Sequence, residues 1–90
     1  MTKTILKTIK ELNEWRLINQ RNINFVPTMG NLHPGHEKLI REAKKSKNNL
    51  VLLSIFINPL QFNDKKDLRN YPRTINKDID LAFAAGANAI

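Results

Sequence analysis

The chain has no cysteine in its 90 residues. That absence excludes disulfides, a thiol nucleophile and every zinc site that depends on sulfur, and it fits a reducing compartment. Acidic residues are scarce: eight Asp and Glu stand against fifteen Lys and Arg, a formal charge of +7. Aromatics make up only 7%, and none interleaves with the basic residues as a single-strand stacking groove requires. No apolar run reaches the roughly 18 residues that a membrane span needs. The basic stretch Met1 to Lys10 has neither an apolar block nor a small-residue cleavage site behind it. No secretory signal is therefore expected, and the expected compartment is the cytoplasm.

What is present is ordinary globular composition, 41% hydrophobic and 26% charged, which argues against wholesale disorder. A chain of this length buries only about two-thirds of the surface it exposes when unfolded, so its core is thin. The positive charge has three readings. It marks a nucleic-acid surface, a set of solvated helix faces, or the surroundings of a small anionic substrate. Lys44, Lys45 and Lys47 follow Arg41 at the end of an expected helix, where cations favour the negative end of the dipole.

Periodicity organises the rest. Ile5, Ile9 and Leu12, flanked by Leu6, Trp15 and Ile18, form a helical stripe over Ile5 to Gln20. Ile23 and Phe25-Val26 read as a short buried strand ended by Pro27, and Thr28-Met29-Gly30-Asn31 as a loop. A second helix starts near Pro34, with His36, Leu39, Ile40 and Ala43 on one face and Glu37, Lys38, Arg41 and Glu42 on the other. Leu50 to Ile57 is almost continuously apolar, the pattern of a parallel strand covered on both faces. A polar stretch from Gln61 to Arg73 follows. Thr74 then caps a third helix that turns Ile75, Ile79, Ala82 and Phe83 inward and closes at Gly86. Ala87 to Ile90 begins another strand. The order α-β-α-β-α-β predicts an α/β fold, a Rossmann-like, three-layer parallel sheet that is incomplete over these residues.

The most informative segment is Pro27-Thr28-Met29-Gly30-Asn31-Leu32-His33-Pro34-Gly35-His36, between the first strand and the second helix. Ligands of open α/β sheets bind beyond the C-terminal strand ends, and a helix N-terminus there offers N–H groups and a partial positive charge to an anion. Gly35 leaves the backbone open to a nucleotide. His33 and His36 share one side of the first turn, where two imidazoles can donate hydrogen bonds to a phosphate gaining charge in a transition state. The same string also fits a common turn, a partial metal site or a histidine satisfied at a helix end. Its strand–loop–helix context favours the functional reading. It is neither a Walker loop nor a G-x-G-x-x-G fingerprint. Asn58-Pro59-Leu60-Gln61-Phe62 is the second candidate: its amides suit hydroxyls and a carboxylate, although Asn-Pro also starts turns routinely.

Taken together, Val26 to Gly30, His33 to His36, Ser54 to Phe62, Asp67-Leu68 and Tyr71 to Thr74 occur in an order and spacing that closely resembles pantothenate synthetase, the pantoate–β-alanine ligase family. The resemblance covers essentially the whole chain, which corresponds to about the first third of a member. It implies a HIGH-type nucleotidyltransferase fold, with residues 1–90 as the N-terminal part of the nucleotide-binding domain and the remainder, including a C-terminal domain, outside them. It implies an AMP-forming ligase that joins pantoate and β-alanine through pantoyl adenylate, with ATP as substrate and Mg²⁺ on its phosphates. By the same resemblance Met29, Gly30, Asn31, Leu32, His33, Pro34, Gly35 and His36 form part of the ATP site. His33 and His36 are catalytic, His36 as proton donor. Gln61, Met29 and Asn58 hold pantoate, and Gln61 also meets β-alanine. No protein-held metal, nucleic acid or membrane is expected, and members form homodimers, some with a fused cytidylate kinase. The 90 residues alone are expected to be inactive. The competing readings are another HIGH-type adenylyl or cytidylyl transferase and a basic nucleic-acid-binding module.

Overall fold

The structure is a computed structural model that describes residues 3–45, 48–56 and 65–90, with side chains from residue 75 onward in the last segment. Its elements are α1 (Ile9–Ile18), β1 (Ile23–Thr28), α2 (Pro34–Ala43), β2 (Leu50–Ile55) and α3 (Lys65–Ala85).

β1 and β2 pair in parallel, with Ile23 opposite Leu50 and Thr28 opposite Ile55. The end bonds, Leu50 N–H to the Asn22 carbonyl at 2.9 Å and Phe56 N–H to that of Thr28 at 3.0 Å, use even-numbered residues of the first strand. Pro27 therefore turns its missing N–H to the edge that is unpaired among the described residues, and β1 runs through it to Thr28 instead of ending there. The expected strand after Gly86 is present only as a pair of parallel bridges at one residue: Ala89 pairs with Leu52 on one side and with Thr4 on the other. The sheet is thus extended by residues 88–90 and then by 4–6, with Leu6 N–H reaching the Ile90 carbonyl at 2.7 Å.

Alternation along β2 builds the three layers. Val51 and Leu53, both fully buried, join Val26, Ile40, Ala82 and Phe83 under α2 and α3. Leu50 and Leu52 face the other way and pack with Trp15, Leu12, Leu6 and Ile23 under α1. A strand with both faces covered has no polar alternation, which is why this segment reads as one apolar run.

Two helix starts differ from the sequence reading. α1 starts at Ile9 because Thr8 caps it: the Glu11 N–H donates to Thr8 Oγ1 at 3.0 Å. Ile5 and Leu6 belong to the paired segment before it, so the buried face of α1 is Leu12 and Trp15, while Ile9 and Ile18 are exposed. α3 begins at Lys65, so Thr74 lies inside the helix and is no cap; Lys, Leu and Arg in its first turns are good helix formers. On α2, Ile40 is buried but Leu39 is exposed. Lys44 is likewise no solvated cation, since its Nζ bonds Asn88 Oδ1 at 2.8 Å and the Asn49 carbonyl at 3.3 Å.

Candidate functional site

The loop between β1 and α2 lies at the C-terminal end of the strand pair. It starts from Thr28, a buried residue whose Oγ1 donates to the Ser54 carbonyl at 2.8 Å and accepts the Gly30 N–H at 3.3 Å. Gly30 and Asn31 both take the left-handed conformation, with φ of 86° and 52°. Glycine tolerates this freely and asparagine better than most residues. Their turn reverses the chain into α2, and a carboxylate from a different helix closes it. Asp78, 4% exposed on α3, accepts the Asn31 N–H through one oxygen and the Leu32 N–H through the other, each at 2.8 Å.

His33 is the N-cap of α2, and the cap is reciprocal. His33 Nδ1 accepts the Gly35 N–H at 3.0 Å, and His36 Nδ1 accepts the His33 N–H at 3.2 Å. The His36 and Glu37 N–H groups both reach the His33 carbonyl, at 2.9 and 3.1 Å. Pro34 contributes no N–H, as suits the first helical position. Every backbone N–H from Gly30 to Glu37 is therefore satisfied within the protein. The expectation that this helix end presents unpaired N–H groups to an anion is corrected: side chains and the His33 carbonyl consume them.

The donors that remain are imidazole. A neutral ring that accepts at Nδ1 carries its proton on Nε2, so both histidines hold an Nε2–H that has no partner among the described residues. The rings lie 4.0 Å apart, centroid to centroid, tilted by 47°. His36 is held below the ordinary histidine value of 6.5, mainly by burial and then by its neighbour His33, against an opposing pull from Asp78. Neutrality suits the geometry, because protonating Nδ1 would remove the acceptor that the His33 N–H uses. Gly35 serves the cap sterically as well. A Cβ there would stand 2.8 Å from His33 Cε1 and 3.0 Å from its Nδ1, so the glycine makes room for the capping ring.

The structure thus brings together Gly30, Asn31, Leu32, His33, Pro34, Gly35 and His36, with Met29 partly exposed beside them. Asn58 and Gln61 lie outside the described residues, as do the side chains of Tyr71, Pro72 and Arg73. Asp78 was missed by the sequence reading. Its signal is there nonetheless, an acid within the helical stripe of Ile75, Ile79 and Ala82. Among the described residues no group of three or more His, Asp or Glu could hold a metal, and no helix is long and apolar enough to cross a membrane.

A preformed loop carrying two imidazoles stands at the C-terminal edge of a parallel α/β sheet, the edge at which open α/β proteins place their ligands. The chain belongs to the Pantoate-beta-alanine ligase family, whose model matches residues 3–90. It is 56% identical over its full length to a bifunctional pantoate ligase/cytidylate kinase of Prochlorococcus marinus subsp. pastoris, of which it covers 18%. A homologue of the same description from a second Prochlorococcus marinus strain is 54% identical over the full chain, again 18% of that protein. A crystal structure of the pantoate-beta-alanine ligase of Francisella tularensis, complexed with beta-gamma ATP and beta-alanine, matches 98% of this chain and 34% of its own. The TM-score is 0.79 at 41% identity. The expected α/β parallel-sheet fold is therefore that of a pantoate ligase, and the chain spans well under half of these relatives.

Proposed function

We propose that residues 1–90 are the N-terminal part of the nucleotide-binding domain of an AMP-forming pantoate–β-alanine ligase, which acts with the remainder of that domain and a C-terminal domain. Pantoate attacks the α-phosphorus of ATP through a carboxylate oxygen, and pyrophosphate leaves as the P–O bond to it breaks. The β-alanine amine then attacks the acyl carbon of pantoyl adenylate, loses a proton and expels AMP. The observation that carries this reading is the pair of Nε2–H donors of His33 and His36 on a loop whose own amides are already satisfied. Such donors stabilise charge developing on phosphate oxygens without reorganising, and phosphoryl transfer asks little more of a protein. His36 acts here as a neutral hydrogen-bond donor, in keeping with its depressed pKa.

In this reading Met29 to His36 line the ATP site, Met29, Asn58 and Gln61 hold pantoate, and Gln61 also meets β-alanine. Mg²⁺ enters with the substrate: the described loop offers imidazole groups, not the oxygen ligands that Mg²⁺ prefers, and no step is routed through it. A HIGH-type motif, a cytoplasmic setting and a homodimer belong to the same proposal. The nucleotide and beta-alanine of the Francisella ligase complex support it. The test is pyrophosphate release by the full-length protein with ATP and pantoate, before β-alanine is added. Release that requires pantoate is expected. Release that ignores pantoate, or that needs CTP instead of ATP, would favour another nucleotidyl transferase.

A further inference from the structure

We propose that Asp78 is the positioning residue that presets His33 and His36 for adenylation, by holding the Asn31–Leu32 backbone from across the fold. The inference rests on the adenylation reading above. Asp78 is buried on α3, and its two oxygens each accept one loop N–H at 2.8 Å, across 47 and 46 residues of sequence. Among the described residues its carboxylate is in no salt bridge, so these amides are its compensation. Burying a carboxylate is costly unless it is well bonded, and an apolar residue would serve the Ile75, Ile79 and Ala82 stripe more simply. Asp78 therefore does something other than packing.

Its location indicates what. Consecutive N–H groups of a turn with left-handed residues form a concavity that binds anions. In this loop the internal carboxylate fills that concavity, and a substrate phosphate is left to the imidazole Nε2–H groups. The turn so fixed leads directly into His33, whose N–H is tied to His36 and whose ring caps α2. One carboxylate thereby sets the direction of both rings before any nucleotide arrives. The groups facing His36 are His33, which disfavours its protonated form, and Asp78, which favours it.

The test uses the full-length protein and Asp78→Asn, whose single carbonyl oxygen can serve only one of the two amides. We expect pantoate-dependent pyrophosphate release to fall by about 10- to 100-fold in kcat, the scale of a small misplacement of catalytic groups, with KM for pantoate unchanged. The His36 imidazole titration, followed by NMR, should move to lower pH. An unchanged kcat, or a loss confined to KM, would overturn the proposal. If the variant does not fold, amide exchange in the wild-type protein without nucleotide decides. Protected Asn31 and Leu32 amides support the clamp, and exchange at the rate of a free peptide overturns it. Wild-type protein that releases no pyrophosphate with pantoate would defeat the adenylation reading, while the amide measurement still tests the clamp on its own.

Discussion

His33 and His36 together cap the start of α2: the ring of His33 takes the Gly35 N–H, and the ring of His36 takes the N–H of His33. Each imidazole thus has one nitrogen committed to the fold and one left for chemistry. In His36 the committed nitrogen must stay unprotonated, which couples the start of α2 to pH.

The sign of that coupling follows from His36. Its folded pKa lies below 6.5, so on acidification the unfolded chain binds protons before the folded one does. The stability contributed by neutral His36 is fully present above about pH 6.5 and is lost as pH falls through the folded value. Thermal midpoints recorded from pH 8 downward should decline below about 6.5, and the decline should be smaller in His36→Asn. A midpoint that rises over that window would contradict the assigned tautomer.

Gly35→Ala separates stability from function. Alanine gains about 0.5–1 kcal/mol of helix propensity over glycine, while displacing the His33 ring loses a cap bond of about 1 kcal/mol. The two nearly cancel, so the urea midpoint should move little. Adenylation should still fall, because the ring that the new Cβ displaces, from 2.8 Å, carries one of the two donors. A variant as active as wild type would show that His33 needs no fixed position.

Asn88 holds the far end of the sheet. Its buried Oδ1 accepts the Val51 N–H at 2.9 Å and Lys44 Nζ at 2.8 Å. Asn88→Ala leaves both donors without that acceptor and should destabilise by about 1–3 kcal/mol, read from the denaturation midpoint. Adenylation by the folded variant should be unchanged, since the pair lies at the opposite end of β2 from the loop. Full stability in this variant would mean that the amide contributes nothing to the pairing.

The parts of this fold legible in the sequence are those where one force acts alone. β2 is recognisable because a strand covered on both faces must be apolar throughout, and α2 because Pro34 and the residues after it agree on a start. Where two signals compete, the stronger pattern misleads. Ile5 and Leu6 fit the helical stripe of α1, yet they pair with residues 88–90, and the cap is set by Thr8 with Glu11 three residues on. Thr74 resembles a cap, yet Lys77 in place of an acid completes no capping box, and α3 begins at Lys65. The loop residues of the site are readable from type and spacing. For Asp78 the sequence offers only an acid inside an apolar helical stripe; its partners are backbone N–H groups more than 40 residues away, and backbone donors leave no mark in a sequence.

In the proposed reaction it is the free Nε2–H of His36, and not its capping Nδ1, that meets the substrate. Asparagine can place an oxygen near the position of Nδ1, whereas glutamine can place a donor near Nε2. The direct measurement is pantoyl adenylate formation by the full-length protein carrying His36→Asn or His36→Gln, alongside the denaturation midpoint of each. His36→Asn should keep near-normal stability but lose about 3 kcal/mol of transition-state stabilisation, the cost of one missing oxyanion donor. His36→Gln should be less stable by about 1 kcal/mol, through loss of the cap, while retaining more of the rate. Adenylation at the normal rate by His36→Asn would contradict that role of Nε2–H.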